Sequence, residues 1–108
     1  MYGTIMRGKL RKDRAADLFA LGKEWDARER KRAVGYLNSE ILWLDEGEGW
    51  YCLIVRFVSR EAYRKNAESP EMDIFYQKVR ACLEDDPVWT DGTFAQWDSP
   101  YAQPLSFA

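Results

Sequence analysis

Residues 36–58 read YLNSEILWLDEGEGWYCLIVRFV, two apolar runs on either side of a short acidic, glycine-rich segment. The runs Tyr36–Leu44 and Trp50–Val58 are rich in the aromatic and β-branched residues that strands favour. Asp45–Gly49 contains residues that tolerate positive φ, so the pattern predicts a hairpin. Both runs are apolar at nearly every position, whereas a strand with one solvated face alternates. We therefore expect helices to cover one face of the sheet and a second subunit to cover the other.

The segment before the hairpin predicts one strand and one helix. Tyr2–Leu10 is the strand, and Asp13 can cap a helix that runs to about Arg32. The charged end of this helix, Arg28–Arg32, is interpreted as a solvated terminus, where cations are favourable. Apolar residues at helical spacing predict its buried face: Ala15, Leu18, Phe19, Gly22 and Trp25.

Two helices and a strand are predicted after the hairpin. Ser59 begins a helix that ends near Ala67, and Ser69-Pro70 begins another, because proline suits the first helical position. Val88–Trp97 is the fourth strand. The last helix runs to Glu84 and carries one apolar stripe: Met72, Phe75, Tyr76, Val79, Cys82 and Leu83. The predicted fold class is α+β, a ferredoxin-like βαββαβ arrangement with a four-stranded antiparallel sheet.

The chain length of 108 residues suits one domain. We assign residues 1–98 to this domain and residues 99–108 to an extended C-terminal arm. The arm has no charged side chain and carries Tyr101, Leu105 and Phe107, so we expect it to pack against a partner subunit.

Charge and cysteine usage narrow the partners and the compartment. The net charge of −2, with 16 basic and 18 acidic residues, argues against a dedicated nucleic-acid-binding protein. No apolar run is long enough to span a bilayer, and the N-terminus lacks the pattern of a signal peptide. Cys52 and Cys82 have no paired spacing and are interpreted as free thiols. We expect a cytoplasmic protein without a nucleic-acid or membrane partner.

The chain contains no histidine. This absence excludes Ser-His-Asp and Cys-His catalysis, most zinc sites and a histidine-ligated haem. We therefore expect no metal and no cofactor. The aromatic content is high, at 15% of residues, and indicates an aromatic-lined pocket or a subunit interface.

Three segments resemble the dimeric α/β-barrel superfamily, in particular its antibiotic-biosynthesis-monooxygenase domain. They are the opening Tyr2–Ile5, the strand-to-helix segment Val55–Tyr63, and Asp86–Trp89. The resemblance covers residues 2–98. It implies that two ferredoxin-like sheets face each other to close a barrel across a homodimer, and that each subunit keeps a pocket between its own sheet and helices.

The resemblance also implies a range of activities. Members include cofactor-independent oxygenases of polyketide quinone synthesis, haem-degrading oxygenases, isomerases and domains without known activity. We expect a dimeric domain similar to the cofactor-independent monooxygenases, acting on an aromatic or polyketide-like molecule. The alternative is a non-catalytic dimeric domain that binds a small molecule. In the haem-degrading branch an Asn, a Trp and a His act where this chain places Met6, Asn66 and Tyr76 (or Gln77), so haem degradation is not expected.

Five residues are candidates for the pocket: Met6, Trp25, Asn66, Tyr76 and Arg56. No catalytic residue is assigned among them. Trp25 either stacks on a flat ligand or fills the core, Tyr76 carries a hydroxyl that needs a partner if buried, and Asn66 either lines the pocket mouth or ends a helix. Arg56 is the one charge inside the third strand, so it must be paired, and Glu40 or Asp91 is the expected partner. It acts either as an oxyanion donor or as one half of an interface salt bridge.

Overall fold

The computed structural model of this protein describes residues 1–98, and the predicted arm of residues 99–108 lies outside them. A short 3-10 turn, Glu29–Lys31, follows the first helix. The other elements are β1 (Tyr2–Lys9), α1 (Ala15–Ala27), β2 (Tyr36–Trp43), β3 (Trp50–Phe57), α2 (Arg60–Ala67), α3 (Pro70–Ala81) and β4 (Val88–Thr93). This order confirms the predicted α+β, ferredoxin-like arrangement.

The four strands form one antiparallel sheet in the order β2-β3-β1-β4. The central pair β1–β3 runs without interruption from Tyr2 opposite Phe57 to Lys9 opposite Trp50. An irregularity between Tyr36 and Asn38 shifts the register of β2 against β3. Because side chains alternate along each strand, the register decides which residues face the helices and which face away.

The helices pack on one face of the sheet and enclose the core with it. Met6, Tyr51 and Leu83 are fully buried there. The remaining buried members of this core are Leu10, Leu18, Phe75, Val79 and Cys82. Most of the stripe predicted for the last helix therefore lies in the core, as the helical spacing indicated.

The starts of α2 and α3 agree with the sequence because each has a serine cap. The Ser59 hydroxyl accepts a hydrogen bond from the Ala62 amide at 3.1 Å. The Ser69 hydroxyl accepts one from the Met72 amide, also at 3.1 Å, and Pro70 occupies the first turn of α3. Each serine satisfies a backbone donor that a helix start leaves unpaired.

Several predicted boundaries are wrong. Asp13 does not cap α1, because its φ of +66° places it in a tight left-handed turn before the helix begins at Ala15. The helix ends at Ala27, not near Arg32, and the 3-10 turn carries the chain on towards Gly35, which has a φ of +86°. The last helix ends at Ala81, short of Glu84, and β4 ends at Thr93, short of Trp97.

The other face of the sheet is open in the single chain. Ile5, Leu42 and Val88 are among the exposed apolar side chains on this face. The strand composition predicted that both faces of the sheet are covered. Residues 1–98 cover only the face on which the helices pack. Within the same residues, no helix combines the length and apolar character needed to cross a membrane.

Candidate functional site

A cavity of about 640 Å³ lies between the sheet and the helices, on the side of strand β2. Its apolar wall comes from α1, α3 and the helix-facing side of β2 and β3. The residues of this wall include Leu18, Leu21, Trp25, Ile41, Leu53, Val55, Phe57, Met72, Phe75 and Val79. Several of them also pack against the core, so the cavity is a continuation of the core towards solvent.

The cavity opens between α1 and β2, which lie side by side. The Phe19 and Trp43 rings are 6.3 Å apart at one end of this opening, and the Trp25 and Tyr36 rings are 5.2 Å apart at the other. Gly22 lies between the two contacts and leaves open space beside the helix. Phe19 and Gly22 are therefore exposed, which corrects the prediction that both belong to a buried helix face.

Aromatic rings surround the inner part of the cavity. Trp25 contacts Tyr36 edge-on and lies 5.4 Å from Phe75, and Tyr36 lies 5.6 Å from Phe57. The Trp25 indole nitrogen is buried without a hydrogen-bond partner among residues 1–98. Such a wall suits a flat, unsaturated ligand, because stacked and edge-on ring contacts add to the apolar area that is buried.

Polar side chains follow the rim of the cavity. The Tyr36 and Ser39 hydroxyl oxygens are 2.6 Å apart and share a hydrogen bond. The half-buried Asn66 also lines the cavity, and its backbone carbonyl accepts hydrogen bonds from the Ser69 hydroxyl and amide at 2.8 and 3.1 Å. These bonds fix the Asn66 backbone at the junction of α2 and α3, where the residue lines the cavity.

An ion pair completes the rim. The Arg30 guanidinium donates a hydrogen bond of 2.8 Å to the Asp26 carboxylate, and its central carbon lies 5.5 Å from the centre of the Tyr36 ring. Both residues line the cavity. The sequence interpretation missed Arg30 because it treated residues 28–32 as a solvated helix end. Only the tertiary structure shows that the 3-10 turn after α1 lies at the mouth of the cavity.

The structure brings together only two of the five predicted pocket residues, Trp25 and Asn66. Met6 faces the helices but is 1% exposed, in the centre of the core. The Tyr76 ring lies 5.7 Å from Trp89 of β4, away from the cavity. Tyr76 lies on the β4 side because α3 crosses the sheet, and its two ends therefore face different strands.

Arg56 lies on the opposite face of the sheet from the cavity, because it alternates with the helix-facing Val55 and Phe57. Its guanidinium pairs with Glu40 at 2.8 Å, as expected, and also packs on the Phe94 ring. The other expected partner, Asp91, instead accepts a hydrogen bond of 3.1 Å from the Tyr63 hydroxyl.

Among the described residues, the groups whose pKa is shifted lie outside the cavity. Burial raises the pKa of Tyr51 and of Tyr63 to about 12, and it also raises the pKa of Tyr76 and of the Cys82 thiol. The Cys82 thiol therefore stays protonated at neutral pH and is a poor nucleophile. Within residues 1–98, no three His, Cys, Asp or Glu side chains come together in a way that could hold a metal ion.

Several solved structures have a fold similar to that of this chain. A variant of SnoaB, a cofactor-independent oxygenase from Streptomyces nogalater, superimposes with a TM-score of 0.74 at 15% identity, over 90% of this chain and 95% of that one. A Caulobacter crescentus protein provisionally named as an antibiotic biosynthesis monooxygenase gives 0.73 at 15% identity, over 88% and 90%. The Mycobacterium tuberculosis protein Rv0793 gives 0.69 at 21% identity, over 91% and 98%.

Sequence comparison adds nothing to this likeness. No protein-family model matches the chain, and no curated protein matches it. The structural likeness extends over most of both chains in each pair, so it concerns the whole domain and not one motif. This chain therefore has the fold of the antibiotic biosynthesis monooxygenase domain.

Proposed function

We propose that this protein binds a flat aromatic small molecule in the cavity beside β2 and oxidises it with molecular oxygen, without a metal or an organic cofactor. The observation that carries the proposal is the cavity itself. Its volume of about 640 Å³ falls in the range typical of ligand sites, and its wall is aromatic and aliphatic with a few polar groups on the rim. SnoaB, which has the same fold, is a cofactor-independent oxygenase.

The proposed chemistry relies on the substrate as the electron donor. An ionised phenol of a fused-ring compound passes an electron to O₂, and recombination and loss of water give the quinone. Superoxide and the phenoxyl radical combine at the para ring carbon, which carries hydrogen, to form a C–O bond and a peroxide. The O–O bond then breaks as this carbon loses its hydrogen as a proton, so that one oxygen stays as the new carbonyl. The other oxygen leaves as water, which takes up the phenol proton and the proton from carbon. The protein then has to exclude water, hold the ring and stabilise the phenolate oxygen. Trp25 is proposed to hold the ring, and the Asn66 amide to donate to the oxygen.

The proposal includes a homodimer that covers the open face of the sheet. Ile5 and Leu42 of this face are exposed in the single chain, and Arg56 with its partner Glu40 lies among them. A stable pair of subunits buries at least about 1,200 Å² in total. We expect the packing of one sheet against a second copy to bury an area of this size and to leave the cavity on the helix side accessible.

Oxygen uptake tests the oxidation. We expect the desalted protein, with a chelator present, to consume one O₂ per quinone formed from a dihydroxyanthracene-type phenol. Asn66→Ala should lower the rate at least about tenfold, because one lost donor to a developing oxyanion typically costs this much or more. Gln77→Ala removes an exposed amide from α3 outside the cavity and should leave the rate unchanged. Uptake at the rate of a protein-free control would contradict the proposal.

A second function, ligand binding without catalysis, is favoured by one observation. None of the described groups with a shifted pKa lines the cavity, whereas sites of proton chemistry usually contain one. The same assay separates the two functions. Saturable quenching of tryptophan fluorescence by the phenol without oxygen uptake would establish binding alone.

A further inference from the structure

The cavity has two chemically different ends. At one end Phe19 and Trp43 form an exposed aromatic pair, and at the other Asp26 and Arg30 form a charged pair beside Tyr36. Phe19 and Asp26 are separated by seven residues of one helix, which corresponds to about 10 Å along its axis. An elongated fused-ring ligand that fills the opening therefore meets an apolar end and a charged end.

Arg30 is the single Lys or Arg among the described residues that line the cavity. The two neighbouring arginines point elsewhere. Arg28 pairs with Glu24 at 3.5 Å, and Arg32 pairs with Glu29 and with Glu71 of α3. The charge that a ligand meets at this end is therefore set by Arg30 and its own partner.

The contacts of the Arg30–Asp26 ion pair allow a ligand anion to replace Asp26 as the partner of the guanidinium. Both side chains are more than half exposed, and an exposed ion pair at i, i+4 contributes little to stability. Stacking on the Tyr36 ring holds the guanidinium at the rim independently of Asp26. Glu40 also borders the cavity, but its carboxylate lies on the open face of the sheet and pairs with Arg56 at 2.8 Å, so it does not compete for Arg30.

We propose that Arg30 selects ligands that carry a carboxylate at one end, and that this carboxylate replaces Asp26 as the partner of the guanidinium. The inference rests on the proposed function, because it concerns the same cavity, and it adds the substrate class: a flat aromatic acid, oriented with its carboxylate towards the end of α1. A planar guanidinium binds a carboxylate through two parallel hydrogen bonds, which a neutral amide cannot reproduce.

The test compares two probes of the same shape, an anthraquinone carboxylate and the corresponding carboxamide, by calorimetric titration against the full chain. We expect the unaltered protein to bind the acid about tenfold more tightly than the amide. Arg30→Gln should abolish this preference, with the acid losing about tenfold in affinity relative to the amide. Asp26→Asn should strengthen acid binding about two- to fivefold, since the guanidinium no longer has to leave an ionised partner.

Arg28→Gln is the matched control, because it removes an arginine from the same charged run but outside the cavity. It should leave the preference for the acid intact. Equal binding of acid and amide by the unaltered protein would overturn the role of Arg30 while leaving the cavity as the ligand site. Failure of both probes to bind would overturn the proposed site together with this inference. A preference that survives Arg30→Gln would also overturn it.

Discussion

Tyr51→Phe is expected to stabilise the protein. Tyr51 is completely buried, and its hydroxyl has no hydrogen-bond partner among residues 1–98. Leaving a buried hydroxyl unpaired costs about 1–3 kcal/mol, and phenylalanine removes this cost while it keeps the ring. The void left by one oxygen atom lowers the free energy of unfolding by only about a few tenths of a kcal/mol, at about 24 cal/mol per Å³. The net expectation is a gain of about 1–2 kcal/mol in the free energy of unfolding.

Thermal and urea unfolding, followed by tryptophan fluorescence, measure this gain. For a domain of this size a change of 1 kcal/mol moves Tm by about 4–8 °C. Tyr63→Phe is the matched control, because its hydroxyl does have a partner, Asp91 at 3.1 Å. That variant should lose about 0.5–1.5 kcal/mol. If Tyr51→Phe destabilises the protein as much as Tyr63→Phe, the Tyr51 hydroxyl is satisfied, for example by a buried water, and the reasoning is wrong.

Four further predictions follow from the same features. Leu42→Asp should weaken the proposed homodimer in sedimentation, because it places a charge on the open sheet face, whereas Val34→Asp, elsewhere on the surface, should not. Gly35→Ala should destabilise by about 1–3 kcal/mol, since φ is +86° and the new Cβ lies 2.7 Å from that of Ala62; a gain in Tm would contradict this. Stability should fall between pH 10 and 12, because the unfolded tyrosines ionise near 10 while Tyr51 and Tyr63 ionise near 12, and the fall should be smaller in Tyr51→Phe. The purified protein should show no Soret band and no stoichiometric metal by elemental analysis, as expected for a chain without histidine.

Sequence alone was sufficient for the order of the elements and for most of the core. The continuous apolar strand runs, the helical apolar spacing, the Asp45–Gly49 hairpin and the serine caps at Ser59 and Ser69 are local features. Each depends on residues that are close together in the sequence. The predicted start of the first helix was wrong because it depends on the path of the chain outside the helix. Asp13 has the composition of a cap, but the return of the chain from β1 forces it into a left-handed turn.

The site was decided by tertiary packing. Met6 and Arg56 were both predicted to line the pocket. The pairing of the strands places Met6 in the core and Arg56 on the face of the sheet opposite the cavity. The direction in which α3 crosses the sheet places Tyr76 beside β4. A pattern along the chain carries no information about such crossings.

Arg30 and Tyr36 line the cavity, but they could not be predicted from the sequence. They are six residues apart, one in a charged 3-10 turn and the other at the start of a strand, and nothing in their local sequence marks a ligand site. They meet at the rim of the cavity because α1 and β2 lie side by side, with the Trp25 and Tyr36 rings in contact. Local patterns were enough to predict which residues prefer to be buried and which segments form helices and strands. Which of those residues surround an opening depended on the packing of distant elements, because the distance between two elements is set by residues elsewhere in the core.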